Sequence, residues 1–181
     1  MAAPRVFISY SHQDRQWLER LRVHLRPLIR DSSVDVWDDT RIEPGQSWRV
    51  EIRKAIEAAS VAVLLISADF LASEFIASEE LPELLEAGER GGLRILQVIV
   101  SPSRFERTKL ARLQTVNSPA DPLVSLSDYQ REAVFDRVAQ RIESILQAED
   151  IQARIDSVHN RLDELTQRVA ELFLSTMSLA M

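Results

Sequence analysis

The chain has 181 residues, of which 45% are hydrophobic, and a formal net charge of −6. This length suits one ordinary domain with a short appendage, and the acidic balance disfavours binding to nucleic acid or to an anionic membrane. The absence of cysteine excludes disulfides and a cysteine nucleophile, and the three scattered histidines have no metal-ligand spacing. Because no apolar run approaches the ~20 residues of a membrane span, we expect a cytoplasmic protein without membrane contact.

The apolar pattern alternates between strand-like and helix-like segments. Strands are predicted at 6–10, 34–37, 61–66 and 93–100, with a short edge strand at 123–126. Helices are predicted at 13–29, 48–59, 70–89 and 128–147. In the third helix, Pro82 would either introduce a kink or start a second helical piece. Such alternation predicts a parallel sheet covered on both faces, so we expect an α/β, flavodoxin-like three-layer sandwich of about five strands in a domain spanning residues 4–147.

Residues 148–181 have a different pattern. Their apolar positions recur at alternating spacings of four and three, the seam of a coiled coil, at Ile151, Ile155, Val158, Leu162, Leu165, Val169 and Leu172. Arg154, Arg161 and Arg168 share one flanking position and would repel in an antiparallel pair, which favours a parallel one. We therefore expect self-association through the helix of residues 151–181. The alternative is a single amphipathic helix that packs on its own domain or leads into a further module.

Polar residues end three of the predicted strands. Tyr10 and Ser11 end the first strand, Asp38 and Asp39 follow the second, and Ser67 follows the third. Ligands of open α/β sheets bind at the carboxyl ends of the strands, so these side chains would line a crevice there. The sequence contains no phosphate-binding glycine loop and no serine nucleophile elbow. A nucleotide would therefore have to use this crevice.

Three blocks of sequence resemble TIR (Toll/interleukin receptor) domains, especially bacterial ones. Residues 7–11, Phe-Ile-Ser-Tyr-Ser, resemble the opening strand of the family. Residues 36–45 resemble the second strand with its long loop. Residues 63–73, followed by Glu79-Glu80-Leu81, resemble the third strand and the helix that carries the family's glutamate. The blocks occur in the order and spacing of the family.

Bacterial TIR domains of this type commonly cleave NAD between ribose and nicotinamide. The resemblance therefore implies an NAD glycohydrolase or cyclase, with NAD as substrate and no cofactor, that acts in bacterial defence or stress signalling. A single carboxylate suits this reaction, because nicotinamide leaves as a neutral base and positive charge builds on the ribose. The resemblance also implies that a neighbouring copy completes the site through TIR–TIR contacts.

The resemblance leaves two glutamates as candidates for the catalytic position. The family pattern places an aromatic residue four positions before the glutamate and an aliphatic residue after it. Glu80 precedes Leu81 but follows Ile76 by four, whereas Glu79 follows Phe75 by four but precedes another glutamate. This departure resembles one inserted residue. We choose Glu80, because the Glu-Leu step matches, and keep Glu79 as the alternative.

The remaining candidate residues would bind the substrate rather than react with it. They are Tyr10, Ser11, Trp37, Asp38, Glu43, Trp48 and Ser67. Trp37 or Trp48 could stack on nicotinamide or adenine. Three of these residues have simpler interpretations. Glu43 would be a solvated loop acid, Asp38 a hydrogen-bonding group at the strand end, and Trp48 an anchor at the start of a helix. His12 is interpreted as exposed rather than catalytic.

Two other functions compete with the enzyme. Many TIR domains are adaptors that act through the loop after the second strand, here residues 40–47, and need no catalytic glutamate. A receiver domain would use Asp38 or Asp39 as phosphoacceptor. Receivers are expected to keep an acidic pair at the end of the first strand, where this chain has Tyr10 and Ser11. The receiver is therefore disfavoured.

Overall fold

A four-stranded parallel sheet organises the described residues up to Glu143 in a computed structural model of the chain. The structure describes residues 5–31 and 33–179, with side chains up to Leu172. The strands are β1 (Arg5–Ser9), β2 (Asp35–Trp37), β3 (Ala59–Ile66) and β4 (Arg94–Ile99). They lie in the order β2-β1-β3-β4, and all neighbours are parallel. The α/β fold expected from the sequence is confirmed.

Helices cover both faces of this sheet. They are α1 (Arg15–Arg30), α2 (Trp48–Glu57), α3 (Ala68–Ala72), α4 (Leu81–Glu89) and α5 (Asp128–Leu179). On one face, Ile52 of α2 and Leu84 of α4 share a buried cluster with Phe7 of β1. Towards the other face, Phe135 of α5 contacts the ring of Trp17 in α1, with centroids 6.5 Å apart. β3 lies between these layers, which explains its continuous apolar run from Val61 to Ile66, all fully buried.

The predicted edge strand at 123–126 does not form. Residues Leu123–Ser125 make a 3-10 turn instead. The open edge of β4 is met by the side chain of Asn117, which accepts a hydrogen bond from the Ile99 N–H and donates one to the Ile99 carbonyl, both at 2.9 Å. Isolated backbone hydrogen bonds also reach this side, from the Val116 N–H to the Gln97 carbonyl at 2.8 Å and from the Val124 N–H to the Val100 carbonyl at 3.0 Å. Pro119 and Pro122 have no N–H to donate to a continuous ladder.

The predicted helix 70–89 is divided into three parts. α3 ends at Ala72, and a π-turn at Ile76–Glu80 leads directly into α4. Within the π-turn the N–H of Leu81 bonds to the carbonyl of Ile76, five residues back. Pro82 lies at the start of α4, directly after this π-turn. The proline therefore belongs to the start of a second helical piece.

Residues 144–181 form a second unit, helical as far as Leu179. The seven seam positions from Ile151 to Leu172 are 45–67% exposed. The seam residues beyond Leu172 lie outside the described side chains. Among the described residues, no helix combines the length and the apolar character needed to cross a membrane.

Candidate active site

A cavity of about 190 Å³ lies at the carboxyl end of β1. Five of the residues predicted for the site line it, namely Tyr10, Ser11, Trp37, Trp48 and Glu80. Its other polar or aromatic lining residues are Phe7, Ser9, His12, Gln13, Asp39, Ser73 and Phe75. The cavity therefore combines a buried carboxyl group, a second carboxylate and several aromatic rings, at the position where open α/β sheets bind ligands.

Glu80 is the buried acid of this cavity. Its side chain is 7% exposed, and the Ser9 hydroxyl donates a hydrogen bond to Glu80 Oε2 at 2.5 Å. Burial raises the pKa of Glu80 to about 7, the negative charge of Asp39 acts in the same direction, and the Ser9 hydrogen bond and His12 oppose them. Both protonation states of Glu80 are therefore populated near neutral pH.

The π-turn explains why Glu80, and not Glu79, lines the cavity. In a regular α-helix, residues five apart point roughly 140° away from each other. A π-turn has one more residue per turn, so Phe75 and Glu80 both line the cavity. Glu79 is not among the lining residues, and its Oε1 lies 3.2 Å from Nη2 of Arg49 in an ion pair.

Asp39 supplies the second carboxylate. One of its oxygens accepts a hydrogen bond from the Tyr10 hydroxyl at 2.8 Å, and the other pairs with Nε2 of His12. Burial, followed by the hydrogen bond and charge of Asp39, raises the pKa of Tyr10, so this phenol remains a neutral donor. The turns that follow β1 and β2 are thereby joined at the cavity.

Aromatic rings form one wall of the cavity. The rings of His12 and Trp48 are nearly parallel, at 6° with centroids 6.0 Å apart, and Trp48 stacks on Phe75 at 5.0 Å. Trp37 stacks on Phe7 at 5.3 Å. Flat faces of this kind suit a planar heteroaromatic ligand.

Asp38 and Glu43 do not line the cavity. Asp38 is fully buried, accepts hydrogen bonds from the backbone N–H and the hydroxyl of Thr40, and lies 2.7 Å from Nη2 of Arg22. It thus holds the start of the loop after β2. Glu43 is exposed in that loop, and its backbone N–H donates to the side chain of Gln46 at 3.0 Å.

Ser67 also lies outside the cavity lining. Its hydroxyl donates to Oδ2 of the buried Asp14 at 2.5 Å and accepts from the N–H of Phe70 at 2.9 Å. Burial raises the pKa of Asp14, and the Ser67 hydrogen bond opposes this shift. Ser67 therefore caps α3 and ties the turn after β1 to the end of β3.

Comparison with known proteins identifies the family of this chain. A family profile of the TIR domain matches residues 6–133. The chain belongs to the TIR domain family.

One curated relative of this TIR protein is the uncharacterized protein y4lF of Sinorhizobium fredii (strain NBRC 101917 / NGR234). The two are 28% identical over 125 residues, which cover 69% of this chain and 39% of the relative. The chain thus spans well under half of that relative's length. Among solved structures, the TIR domains of the activated Roq1 resistosome, which directly recognizes the pathogen effector XopQ, match with 21% identity and a TM-score of 0.45, covering 76% of this chain and 84% of that one.

Sequence reasoning did not select Ser9, His12 or Phe75 as site residues of this TIR domain, and it placed Asp39 at the crevice without assigning it to substrate binding. Ser9 is the last residue of β1, and position at a strand end was a usable signal. Asp39 directly follows Asp38, whose side chain caps the turn after β2. The carboxylate at the cavity is therefore that of Asp39. His12 is exposed, as expected, but it also lines the cavity. Among the described residues, no group of three or more His, Cys, Asp or Glu side chains is arranged to hold a metal ion.

Proposed function

We propose that this TIR domain hydrolyses NAD at the bond between ribose and nicotinamide, with Glu80 as the catalytic carboxylate. The observation that carries the proposal is a carboxyl group 7% exposed, with its pKa raised to about 7, in an aromatic-lined cavity. Perturbed acids in such clefts are candidates for catalysis.

Cleavage of the bond to nicotinamide needs little more than this carboxylate. As the bond from ribose C1′ to the pyridinium nitrogen breaks, the electron pair neutralises nicotinamide, which leaves without a proton donor. Positive charge then develops on the ribose, and ionised Glu80 stabilises it. Trp48 and Phe75 would offer flat faces to the nicotinamide ring.

The size of the cavity limits which part of NAD enters it. Pockets for drug-sized ligands usually measure ~300–1,000 Å³, and this cavity measures about 190 Å³. We infer that the nicotinamide and its ribose occupy it, while the adenosine half lies outside. A neighbouring TIR domain would cover that half, in agreement with what the resemblance implies about assembly.

Nicotinamide release from NAD by the purified chain tests the proposal. Glu80→Gln keeps the shape of the side chain but not its charge, so we expect release to fall at least ~10²-fold. Glu79→Gln is the matched control, because it makes the same change one residue away and outside the cavity, and it should keep most of the activity. A wild-type chain that releases no nicotinamide under assembly-promoting conditions, or a fully active Glu80→Gln, would overturn the proposal.

An adaptor without catalysis is the second candidate. It is favoured by the exposed segment that follows β2, where Trp48 is 42% and Val50 is 48% exposed next to the loop of residues 40–47. Exposed apolar side chains beside a loop suit a protein–protein contact. If self-association depends on this segment while NAD remains intact, the adaptor replaces the enzyme.

We also propose that the helix of residues 151–181 mediates self-association. Seven apolar side chains on one seam are 45–67% exposed, and a second copy would bury them. Pairing through this helix would raise the local concentration of TIR domains and so promote their contacts.

A further inference from the structure

We propose that His12 is the general base of the reaction, which deprotonates the water that attacks ribose C1′, and that Asp39 is the positioning residue that sets its tautomer. This inference rests on the proposed NAD hydrolysis and adds a second reacting group to the site. It arises from the pair of His12 and Asp39 in the cavity. This pair has no role in the proposed stabilisation of charge by Glu80.

The contacts of His12 define which nitrogen is basic. Its Nε2 pairs with Asp39, and an ionised carboxylate can only accept hydrogen bonds, so Nε2 carries the proton of the neutral ring. The other Asp39 oxygen accepts from the Tyr10 hydroxyl, which fixes the carboxylate from a second side. No described side chain forms a hydrogen bond with His12 Nδ1, so this nitrogen keeps its lone pair for a ligand.

The ring of His12 is also held in place. It lies parallel to Trp48 at 6°, and its other neighbour, Tyr10, is 5.9 Å away. His12 lines the cavity, and a carboxylate that orients an imidazole at such a position is the arrangement of a general base. His12, Asp39 and Glu80 all line the same cavity, so base and buried acid serve one site.

Glu80 and His12 then have separate roles in a balanced step. The bond from C1′ to nicotinamide breaks, and its electron pair stays on the pyridine nitrogen. A water oxygen forms the new bond to C1′, and one water proton passes to Nδ1 of His12. Asp39 stabilises the resulting imidazolium, and the exposed ring returns the proton to solvent, with 66% of its side chain accessible. Glu80 stabilises the ribose cation throughout.

A nucleophile that has no proton to lose can distinguish a general base from a residue that only supports the structure of the site. A pyridine base such as 3-acetylpyridine attacks C1′ through its ring nitrogen and needs no general base. We would incubate the full chain with NAD and 3-acetylpyridine and measure the exchange product and ADP-ribose. Loss of a general base should lower hydrolysis by ~10²–10⁴-fold and lower exchange much less. The ratio of exchange to hydrolysis should therefore rise at least about tenfold.

Three variants make the test specific. His12→Phe keeps a ring against Trp48 but has no basic nitrogen. Asp39→Asn can donate to Nε2 and so favours the wrong tautomer, and it should raise the same ratio. His24→Phe is the matched control, because His24 also pairs with a carboxylate, Glu132 at 2.8 Å, and contacts an aromatic ring, but outside the cavity. Thermal unfolding would establish that each variant is folded.

The outcomes distinguish this inference from the proposed function. If the wild-type chain cleaves NAD but His12→Phe and Asp39→Asn leave the ratio unchanged, whether both reactions fall together or neither falls, His12 is not a base and Glu80 remains the catalytic residue. If the wild-type chain performs neither hydrolysis nor exchange, the proposed function fails and this inference fails with it. A raised ratio in both variants but not in His24→Phe supports it.

Discussion

Phe75 and Glu80 are five residues apart in the chain, and both line the cavity at the carboxyl end of β1. The pattern that the resemblance implies places its aromatic residue four positions before the glutamate. The π-turn at Ile76–Glu80 absorbs the additional residue, so the aromatic ring and the carboxyl group remain on one side of the helix. The departure from the family pattern is thus compensated in the backbone.

Deletion of Ser78 tests this compensation. Ser78 is exposed, and its removal leaves Phe75 and Glu80 four residues apart, so the π-turn should relax to a regular α-helix with both side chains still at the cavity. We expect a folded protein that keeps most of its nicotinamide release. Insertion of one alanine after Ser78 is the control, because it rotates the helix by roughly 100° and should remove activity. A deletion variant as inactive as Glu80→Gln would contradict the explanation.

Glu80 should make the wild-type protein less stable at high pH. Its pKa is about 7 in the folded chain and 4.5 in an unfolded peptide, so the folded state binds more protons between these values. The free energy of unfolding therefore falls as pH rises through this window and levels off above it, by at most about 3 kcal/mol. The Glu80→Gln variant has no ionisable group at this position and should not show this fall in the free energy of unfolding.

Urea unfolding at pH 5 and pH 8 measures the effect. Glu80→Gln should be more stable than the wild type at pH 8, and the difference should shrink at pH 5. The same measurement on Glu79→Gln controls for the loss of one surface charge. Equal stability of wild type and Glu80→Gln at both pH values would show that Glu80 is not destabilised by burial.

Gly45 gives the loop of residues 40–47 a backbone conformation that other residues rarely adopt. Its φ is 91°, and an added Cβ would meet no atom within 4 Å. Gly45→Ala should therefore cost about 1 kcal/mol of stability through backbone strain alone. We also expect it to reduce self-association and nicotinamide release, because the altered loop lies beside the cavity.

Gly91 provides the matched control for this change. It has a φ of 80° and similarly open surroundings, but it lies in the turn between α4 and β4. Gly91→Ala should lose similar stability and keep self-association and activity. Equal effects of both substitutions on activity would argue against a specific role for the loop.

Charge in the helical seam should dissociate the protein. Leu162 and Leu165 are 53% and 55% exposed, and self-association would transfer them out of water. Replacing both with Asp makes that transfer costly. In light scattering over a concentration series, we expect the double variant to shift towards monomer while the TIR domain stays folded. Asn160→Asp with Gln167→Asp adds the same charge off the seam and should not dissociate the protein. A wild-type chain that is monomeric at high concentration would refute the idea.

Local pattern was sufficient to predict much of this fold and less of its site. The run from Val61 to Ile66 predicts a strand because burial on both faces requires apolar residues at every position. The edge strand at 123–126 was wrong because this segment meets the chain just after β4, through a hydrogen bond from the Val124 N–H to the Val100 carbonyl, while the Asn117 side chain occupies the place beside Ile99. Periodicity does not describe such a side-chain partner.

The site depends on contacts that sequence spacing does not encode. His12 and Asp39 are 27 residues apart and meet only because β1 and β2 are neighbours in the sheet. The inserted residue before Glu80 was visible in the sequence. Its accommodation by a π-turn was not, because that depends on where Phe75 and Glu80 pack.

Two buried serine–carboxyl hydrogen bonds run in opposite directions between β1 and the segments around β3. Ser9 reaches Glu80 over 71 residues of sequence, and Ser67 reaches Asp14 over 53. A cut in the exposed loop of residues 40–47 would separate the two partners of each bond. Ser9 and Asp14 would lie on one fragment, and Glu80 and Ser67 on the other. Neither fragment alone can build the cavity, so the domain is suited to a split reporter in which the proposed NAD cleavage would return only when the two pieces pair.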